Sequence, residues 1–298
     1  MGELGTESSA AGAWTLQDIV IRSISLCLRQ FITLTLPVFL CFSVLLIFNV
    51  GLAAMFGKAL ADHPIATSIA QVCLGTILTM ACFGINGAAV LADLKEARVG
   101  AGRVLAASFR KIRPLFAGAL FYTVIVLVLA APGFFVLWQS IHFSMQQKMG
   151  LAMACILSGG VLLYAPLRLS FQWILFGFVV MEEEKGGWAA LRKSREYMRL
   201  PAPAGRLSNS MVRVLILLHV SLVPALAIMI FLEGLPLAVL AMSSETFLTD
   251  LQGATLNKAF LISQMLQTAV AALVVPIFSV PLAVLYRDIT ARSRMQDT

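Results

Sequence analysis

One uninterrupted apolar stretch runs from Leu151 to Met181, and Arg168 is its only charged side chain. As an α-helix these 31 residues would be about 46 Å long, whereas the hydrocarbon core of a bilayer is about 30 Å thick. Soluble domains carry about 25% charged residues, but this chain has 12%. The stretch therefore predicts a membrane-spanning helix, and its excess length predicts a tilt, a kink or a protruding end.

The whole sequence contains six apolar runs of this kind, which predicts an all-α, polytopic membrane protein. The runs lie at about 31–56, 65–91, 114–138, 151–181, 211–240 and 262–286. Of the 22 lysines and arginines, 18 lie before the first run or after the second, fourth or sixth run. Because positively charged loops remain in the cytoplasm, this bias predicts cytoplasmic N- and C-termini. We expect one integral membrane domain over residues 1–298.

Three of the basic segments have the pattern of amphipathic helices, and we expect these helices to lie in the cytoplasmic interface. The segment 14–30 has a capping-box start at Thr15 and Asp18, and its apolar stripe consists of Leu16, Val20, Ile24 and Cys27, continued by Phe31. The segment 186–200 has an apolar side of Ala190, Leu191, Tyr197 and Met198. The segment 103–112 is a weaker case, with Leu105, Phe109 and Ile112.

Eight cations in or next to these segments are predicted to face anionic lipid headgroups, which are the expected partners of the protein. They are Arg22, Arg29, Arg110, Lys111, Arg113, Arg192, Arg195 and Arg199. An amphipathic helix followed by a two-span hairpin also suggests three repeats, at 14–91, 95–181 and 186–286. Any six-span protein with both ends inside would show the same alternation, so the repeat remains one of two interpretations.

Catalytic and metal-binding motifs are absent from the sequence. The five cysteines and three histidines lack the spacing of a zinc site, and the chain contains no nucleotide-binding or hydrolase motif. We therefore expect no metal, no cofactor and no nucleic-acid partner. The candidate polar site consists of Arg168 with Asp93 and Asp288, which end the second and sixth runs at the same predicted face. Arg168 could pair with either carboxylate there, or could extend its guanidinium to the inner lipid phosphates.

Four stretches resemble a known family. They are TLQDIVIRSISLCLRQFITL at 15–34, PLRLSF at 166–171, MEEEKGGWAALRKSREYMRL at 181–200 and PLAVLYRDITARSR at 281–294. The chain resembles the bacterial YciC-like inner-membrane proteins, and it is similar to the membrane domain fused to some glycerophosphodiester phosphodiesterases. The resemblance implies six helices and a bacterial cytoplasmic membrane, with no settled activity. The chain has no phosphodiesterase domain, so that activity is not carried over.

The sequence leaves three functions open. A non-enzymatic scaffold or lipid-interacting protein, with a protein partner that the sequence does not identify, fits the many cations and interfacial helices. A small-molecule transporter or channel would need a cavity that water can reach around Arg168. A membrane-embedded enzyme would need Asp93, Arg168 and Asp288 to come together near the inner face.

Overall fold

The structure is a computed structural model, and it describes residues 14–62, 64–95, 101–200, 209–235, 238 and 258–296. Within these ranges every regular element is helical. The helices are α1 (Leu16–Arg29), α2 (Phe31–Asp62), α3 (Pro64–Leu94), α4 (Ala101–Arg110), α5 (Ile112–Met145), α6 (Met149–Trp173), α7 (Phe176–Glu183), α8 (Gly187–Arg199), α9 (Ser210–Met229), a π-helical turn (Ile230–Gly234) and α10 (Lys258–Gln296).

Six helical segments are long and apolar enough to cross a membrane, which confirms the predicted all-α, polytopic fold. They are Phe31–Gly51, Cys73–Leu94, Ile112–Met145, Met149–Glu183, Ser210–Gly234 and Leu261–Arg294. The protein is an integral membrane protein. Most of the last part of the fifth predicted run, at 236–240, lies outside the described residues.

Helices α3 and α10 form the centre of the bundle. In the apolar windows of these two spans 61% of the residues are buried, against 17–22% in the other four spans. Helix α10 packs against α2, α3 and α9, while α5 and α6 pair with each other as a peripheral hairpin. The outward sides of the peripheral helices expose large apolar residues such as Ile47, Val128, Val161 and Val223, as expected for surfaces in contact with lipid.

Glycines allow several of these helices to approach closely. A Cβ atom added to Gly177 would lie 3.1 Å from the backbone N and Cα of Gly84, so α7 and α3 touch through their main chains. On the α5–α6 hairpin, a Cβ added to Gly133 would lie 2.7 Å from the Leu163 side chain. Dispersion forces drive helix association in lipid, and small residues at the interface maximise them.

The long fourth apolar run is broken rather than tilted as one rod. Helix α6 ends at Trp173 and α7 begins at Phe176. The 25 residues of α6 are about 37 Å long, which is enough to cross the bilayer. Residues 176–181 of α7 are all buried, and this helix packs against α3, α5 and α8. The excess length predicted from the sequence therefore becomes a separate buried helix.

The apolar stripe predicted for α1 packs against the bundle through Leu16, Val20 and Cys27. The buried residues of α1 are Ile19, Ser23 and Leu26, and the helix packs mainly against α10. Ile24 and Phe31, the other two residues of the predicted stripe, are 55% and 52% exposed. At a membrane interface both sides of a helix can be apolar, because one side contacts protein and the other contacts lipid. The apolar side predicted for α8 is confirmed, and Ser194 is buried with it.

Candidate functional site at the basic face

Hydrogen bonds and ion pairs gather the cation-rich segments at one end of the bundle, which we call the basic face. It comprises α1, α4, α7, α8 and the adjoining ends of α3, α5, α9 and α10. Lys95 at the end of α3 pairs with Glu182 of α7. Lys111 before α5 donates to the carbonyl oxygen of Met181 at 2.7 Å and lies 3.1 Å from Glu184. These cations are therefore on the same side of the fold, as the distribution of Lys and Arg predicts.

Asp288 is the most heavily bonded carboxylate of the basic face. Its Oδ2 lies 3.0 Å from Nη1 of Arg213 and 2.9 Å from Nη2 of Arg292, and its Oδ1 accepts from the backbone N–H of Trp14 at 3.0 Å. The three charged side chains are only 4–11% exposed. A buried carboxylate needs such partners because its charge has lost its water shell. Asp288 thus joins the start of α1 and the start of α9 to α10.

Glu183 at the end of α7 forms a second junction. It accepts from the hydroxyl of Tyr197 at 2.5 Å and from that of Tyr286 at 3.0 Å, and it pairs with Lys185 at 3.0 Å. Burial raises the pKa of the Tyr197 hydroxyl above its ordinary value. The hydrogen bond to Glu183 and the negative charge of Glu183 raise this pKa further. The sequence shows three consecutive glutamates at 182–184, but it does not reveal which one anchors the two tyrosines.

Asp93 belongs to a third cluster, which is separate from Asp288. Its carboxylate pairs with the guanidinium of Arg29, whose side chain is 60% exposed, while Asp93 itself is buried. The pair lies at the wall of a groove of about 550 Å³ between α1 and the end of α3. Its polar lining residues are Asp18, Arg22, Ser25, Arg29 and Asp93, and its apolar lining residues are Ile21, Leu26 and Leu94.

Arg168 is not brought together with Asp93 or Asp288, so the pairing considered from the sequence is not formed. Both carboxylates are occupied by other arginines, whereas Arg168 is exposed on α6 and makes no hydrogen bond or ion pair with the described residues. It lies one helical turn before Gln172, whose carbonyl accepts from Ser194 of α8 at 2.9 Å. One turn advances a helix by about 5.4 Å. Arg168 is therefore close to the level of the amphipathic helix α8.

The remaining cations divide into paired and unpaired groups. Of those predicted to face lipid, Arg29, Lys111 and Arg192 have carboxylate partners within the chain, although the Arg192–Glu196 pair is exposed and its N–O distance is 3.6 Å. Arg22 lies over the ring of Trp14, with its Cζ 4.5 Å from the ring centre. Seven other arginines of this face have no ion pair or hydrogen bond to a side chain among the described residues: Arg103, Arg110, Arg113, Arg195, Arg199, Arg287 and Arg294.

Unlike these seven arginines, most carboxylates of the basic face have a partner of opposite charge. Asp93, Glu182, Glu183, Glu184, Glu196 and Asp288 each have a cation partner. Asp18 accepts from the backbone N–H and hydroxyl of Thr15, at 2.9 and 2.7 Å, which completes the predicted capping box. These hydrogen bonds lower the pKa of Asp18. The described part of the basic face therefore has an excess of arginine that its own acids do not neutralise. Arg98 and Arg206 lie outside the described residues.

A second polar region lies among α2, α3 and α10, toward the opposite end of the bundle. A cavity of about 190 Å³ is lined by Asn49, Gln71, Gln264, Gln267 and Thr268 together with apolar residues. The amide of Asn49 donates to Oε1 of Gln264 at 3.1 Å. This cavity was not predicted from the sequence, because isolated amides in six separate runs give no sign of which ones meet.

Deeper between α3 and α10 there is one buried polar pair. Asn86 donates to the hydroxyl of Ser279 at 3.1 Å, and both residues are fully buried. The Oδ1 of Asn86 has no hydrogen-bond partner in the described chain. A buried acceptor without a donor is costly, so a polar ligand or a water molecule at this point would gain a hydrogen bond.

Among the described residues, no three His, Cys, Asp or Glu side chains meet in an arrangement that could hold a metal ion. Comparisons of the chain with protein-family models, with curated proteins and with solved structures found no match. The residues and their geometry are therefore the basis of the functional argument.

Proposed function

We propose that the protein is a non-enzymatic, lipid-interacting scaffold of the bacterial cytoplasmic membrane, which binds anionic phospholipids through the basic face. One observation carries the proposal: seven arginines of this face have no acidic partner within the described chain, although six carboxylates of the same face each pair with a cation. Guanidinium groups bind phosphate through two parallel N–H···O bonds, and Arg is preferred wherever phosphate is recognised. Lipid phosphates supply the missing anions.

The positions of these arginines support the same conclusion. Arg110 and Arg113 flank the junction of α4 and α5, and Arg195 and Arg199 lie on the polar side of α8. All four are exposed. Each cation close to an anionic membrane surface contributes about 1 kcal/mol of attraction. In this proposal Arg168, one turn from the level of α8, extends its guanidinium to the same layer of phosphates.

The proposed orientation places the basic face, and with it both termini, in the cytoplasm. A fluorescent protein that folds only in the cytoplasm, fused after Thr298, tests this arrangement. The proposal predicts bright cells for the fusion after Thr298 and dark cells for a fusion at Lys148, in the opposite loop between α5 and α6. The reverse pattern would contradict the orientation. The assignment to the YciC-like family agrees with this arrangement and stays a prediction.

Two double variants, matched in charge, test the lipid-binding proposal. Arg110→Gln with Arg113→Gln removes two unpaired cations, whereas Arg192→Gln with Lys193→Gln removes two cations that pair with Glu196. Thermal unfolding in detergent is measured with added phosphatidylglycerol and with added phosphatidylcholine. We expect phosphatidylglycerol to stabilise the wild type more, and the first variant to lose much of that gain while the second keeps most of it. Equal effects of the two lipids on the wild type would refute the proposal.

A transporter is the second candidate, and the amide-lined cavity together with the Asn86–Ser279 pair favours it. A polar route along the α3–α10 contact would need these groups to be hydrated. Substituted cysteines at Asn49, Asn86 and Ser279 can be probed with a water-soluble maleimide. Labelling at all three positions would support transport. Labelling at Asn49 alone would show that water does not reach Asn86 and Ser279 in the centre of the bundle. For the enzyme alternative, the residues considered from the sequence, Asp93, Arg168 and Asp288, lie in three different environments of the described chain.

A further inference from the structure

The groove between α1 and the end of α3 has a charge pattern unlike the rest of the basic face. Four of its lining residues are charged, two arginines and two aspartates, so its formal charge is zero. Most other exposed arginines of the basic face have no carboxylate partner among the described residues. A purely anionic headgroup in the groove would be attracted by Arg22 and Arg29. The carboxylates of Asp18 and Asp93 would repel it. A ligand that carries both signs of charge matches the groove better.

The arginine side of the groove has free donors in a suitable arrangement. Arg22, Ser25 and Arg29 follow each other at spacings of three and four residues, so their side chains share one face of α1. Arg22 forms no ion pair at contact distance in the described chain, although its charge acts on Asp18, and the hydroxyl of Ser25 makes no hydrogen bond there. Arg29 uses one nitrogen for Asp93, and its side chain remains 60% exposed. These groups form a cradle for one phosphate.

The acidic side provides acceptors at the two ends of that cradle. Asp18 uses one oxygen, Oδ2, for its capping bonds to Thr15, so Oδ1 is available. Asp93 accepts a hydrogen bond from Arg29 through Oδ2, and Asp93 also lines the groove. A primary ammonium has three N–H donors and can satisfy a carboxylate oxygen of this kind. A quaternary ammonium has no N–H donor, so the groove distinguishes the two.

Apolar residues continue the groove toward the lipid. Ile21 lines the groove, and on the adjacent side of α1 Ile24 and Leu28 are also exposed. These three are 55–76% exposed to the surroundings of the protein. A headgroup in the groove would thus place its acyl chains against an apolar helix surface in the interface, where amphipathic helices bury such residues.

We propose that this groove binds the headgroup of an amine-bearing phospholipid, with the phosphate on Arg22, Ser25 and Arg29 and the primary ammonium on Asp18 or Asp93. The inference rests on the proposed lipid-binding function and names a headgroup class for one part of the same face. It differs from the general attraction of anionic lipid, which depends on unpaired arginines elsewhere.

The test compares phosphatidylethanolamine with phosphatidylcholine, which have the same phosphate and the same net charge but differ in the methylation of the amine. Native mass spectrometry of the full-length protein in detergent measures how many molecules of each lipid stay bound, and phosphatidylglycerol is measured in parallel. We expect about tenfold preferential retention of the ethanolamine lipid over the choline lipid, the size of one hydrogen bond to a charged group.

Three variants assign the effect to the groove. Arg22→Gln should reduce retention of the ethanolamine lipid and the choline lipid alike. Asp18→Asn, or Asp93→Asn if the first is without effect, should abolish the preference between them while phosphate binding persists. Lys148→Gln, at an exposed cation in the loop between α5 and α6 and outside the basic face, is the control and should leave the preference unchanged.

The outcomes separate this inference from the proposed function. Equal retention of the ethanolamine and choline lipids by the wild type would overturn the inference. If phosphatidylglycerol were still retained in that case, the proposed anionic-lipid binding would stand. A preference for phosphatidylglycerol that Arg22→Gln removes would also overturn the inference, because the groove would then be an anion site. A preference for the ethanolamine lipid that persists in all the groove variants would place its binding elsewhere and count against it.

Discussion

Replacing Asp288 with Asn should destabilise the fold more than any other single charge change at the basic face. Asn has nearly the same shape, so no cavity forms, and its side-chain oxygen can still accept from the backbone N–H of Trp14. The loss is electrostatic: Arg213 and Arg292, which are 9% and 11% exposed, would lie next to each other without an anion between them. Breaking a buried ion pair by removing one partner costs about 3–5 kcal/mol. We expect a loss of this size in the free energy of unfolding.

Glu196→Gln provides the matched control. Glu196 also pairs with two cations, Arg192 at 3.6 Å and Lys193 at 3.1 Å, but its side chain is 50% exposed. Exposed ion pairs contribute about 0–1 kcal/mol, because water screens both charges. Both variants would be unfolded by dodecyl sulfate in mixed micelles, with helicity followed by circular dichroism. A loss below about 1 kcal/mol for Asp288→Asn, similar to that of Glu196→Gln, would refute the reasoning that this junction is buried and holds α1, α9 and α10 together.

Three further predictions concern packing, pH and the charge of Arg168. Gly177→Ala should cost about 1–3 kcal/mol by overpacking against the α3 backbone, whereas Gly160→Ala, in open space, should be neutral or slightly stabilising in the same unfolding assay. Tyr197→Phe should cost about 1–2 kcal/mol at pH 8 by removing the hydrogen bond to Glu183. Since the pKa of Tyr197 is raised in the fold, this stabilisation is present below about pH 10, where the phenol of the unfolded chain begins to ionise, and it shrinks as pH rises further. A stability difference between wild type and variant that stays constant from pH 8 to about pH 11 would contradict the raised pKa. Arg168→Leu should leave membrane insertion intact but reduce retention of anionic lipid, and unchanged retention would remove Arg168 from the proposed phosphate layer.

The fold was largely predictable because the bilayer imposes a strong and simple constraint. Backbone groups in lipid must bond within their own segment, so each long apolar run becomes a helix. Lys and Arg then indicate which loops share a side. The break after Trp173 was only half predictable: the length of the run showed that the helix could not cross as one straight rod, but its position depends on α7 packing against Gly84 of α3.

The candidate site was less predictable, because its pairs join residues that are far apart in the chain. Asp288 was singled out from the sequence, but its partner Arg213 lies 75 residues away at the start of another helix. Arg168 seemed the natural partner from its position in an apolar run. The structure instead leaves it exposed on α6, without a hydrogen bond or ion pair among the described residues.

Helix α1 shows a different limit of sequence patterns. A periodicity argument assumes that one side of a helix is apolar and packed, and that the other side is polar and wet. In an interfacial helix a third environment is present, because lipid accepts apolar residues that the protein does not cover. Ile24 and Leu28 are exposed for this reason, while Ile19 and Leu26 are buried against the bundle.

The central claim is that unpaired arginines of the basic face select anionic lipid, and spin-labelled lipids test it most directly. The protein is reconstituted in phosphatidylcholine bilayers with trace spin-labelled phosphatidylglycerol or phosphatidylcholine, and the fraction of each label immobilised at the protein surface is measured. The account predicts a several-fold higher association for phosphatidylglycerol, which falls as salt screens the charges and falls in the Arg110→Gln, Arg113→Gln variant. Equal association of the two labels at low salt would contradict it.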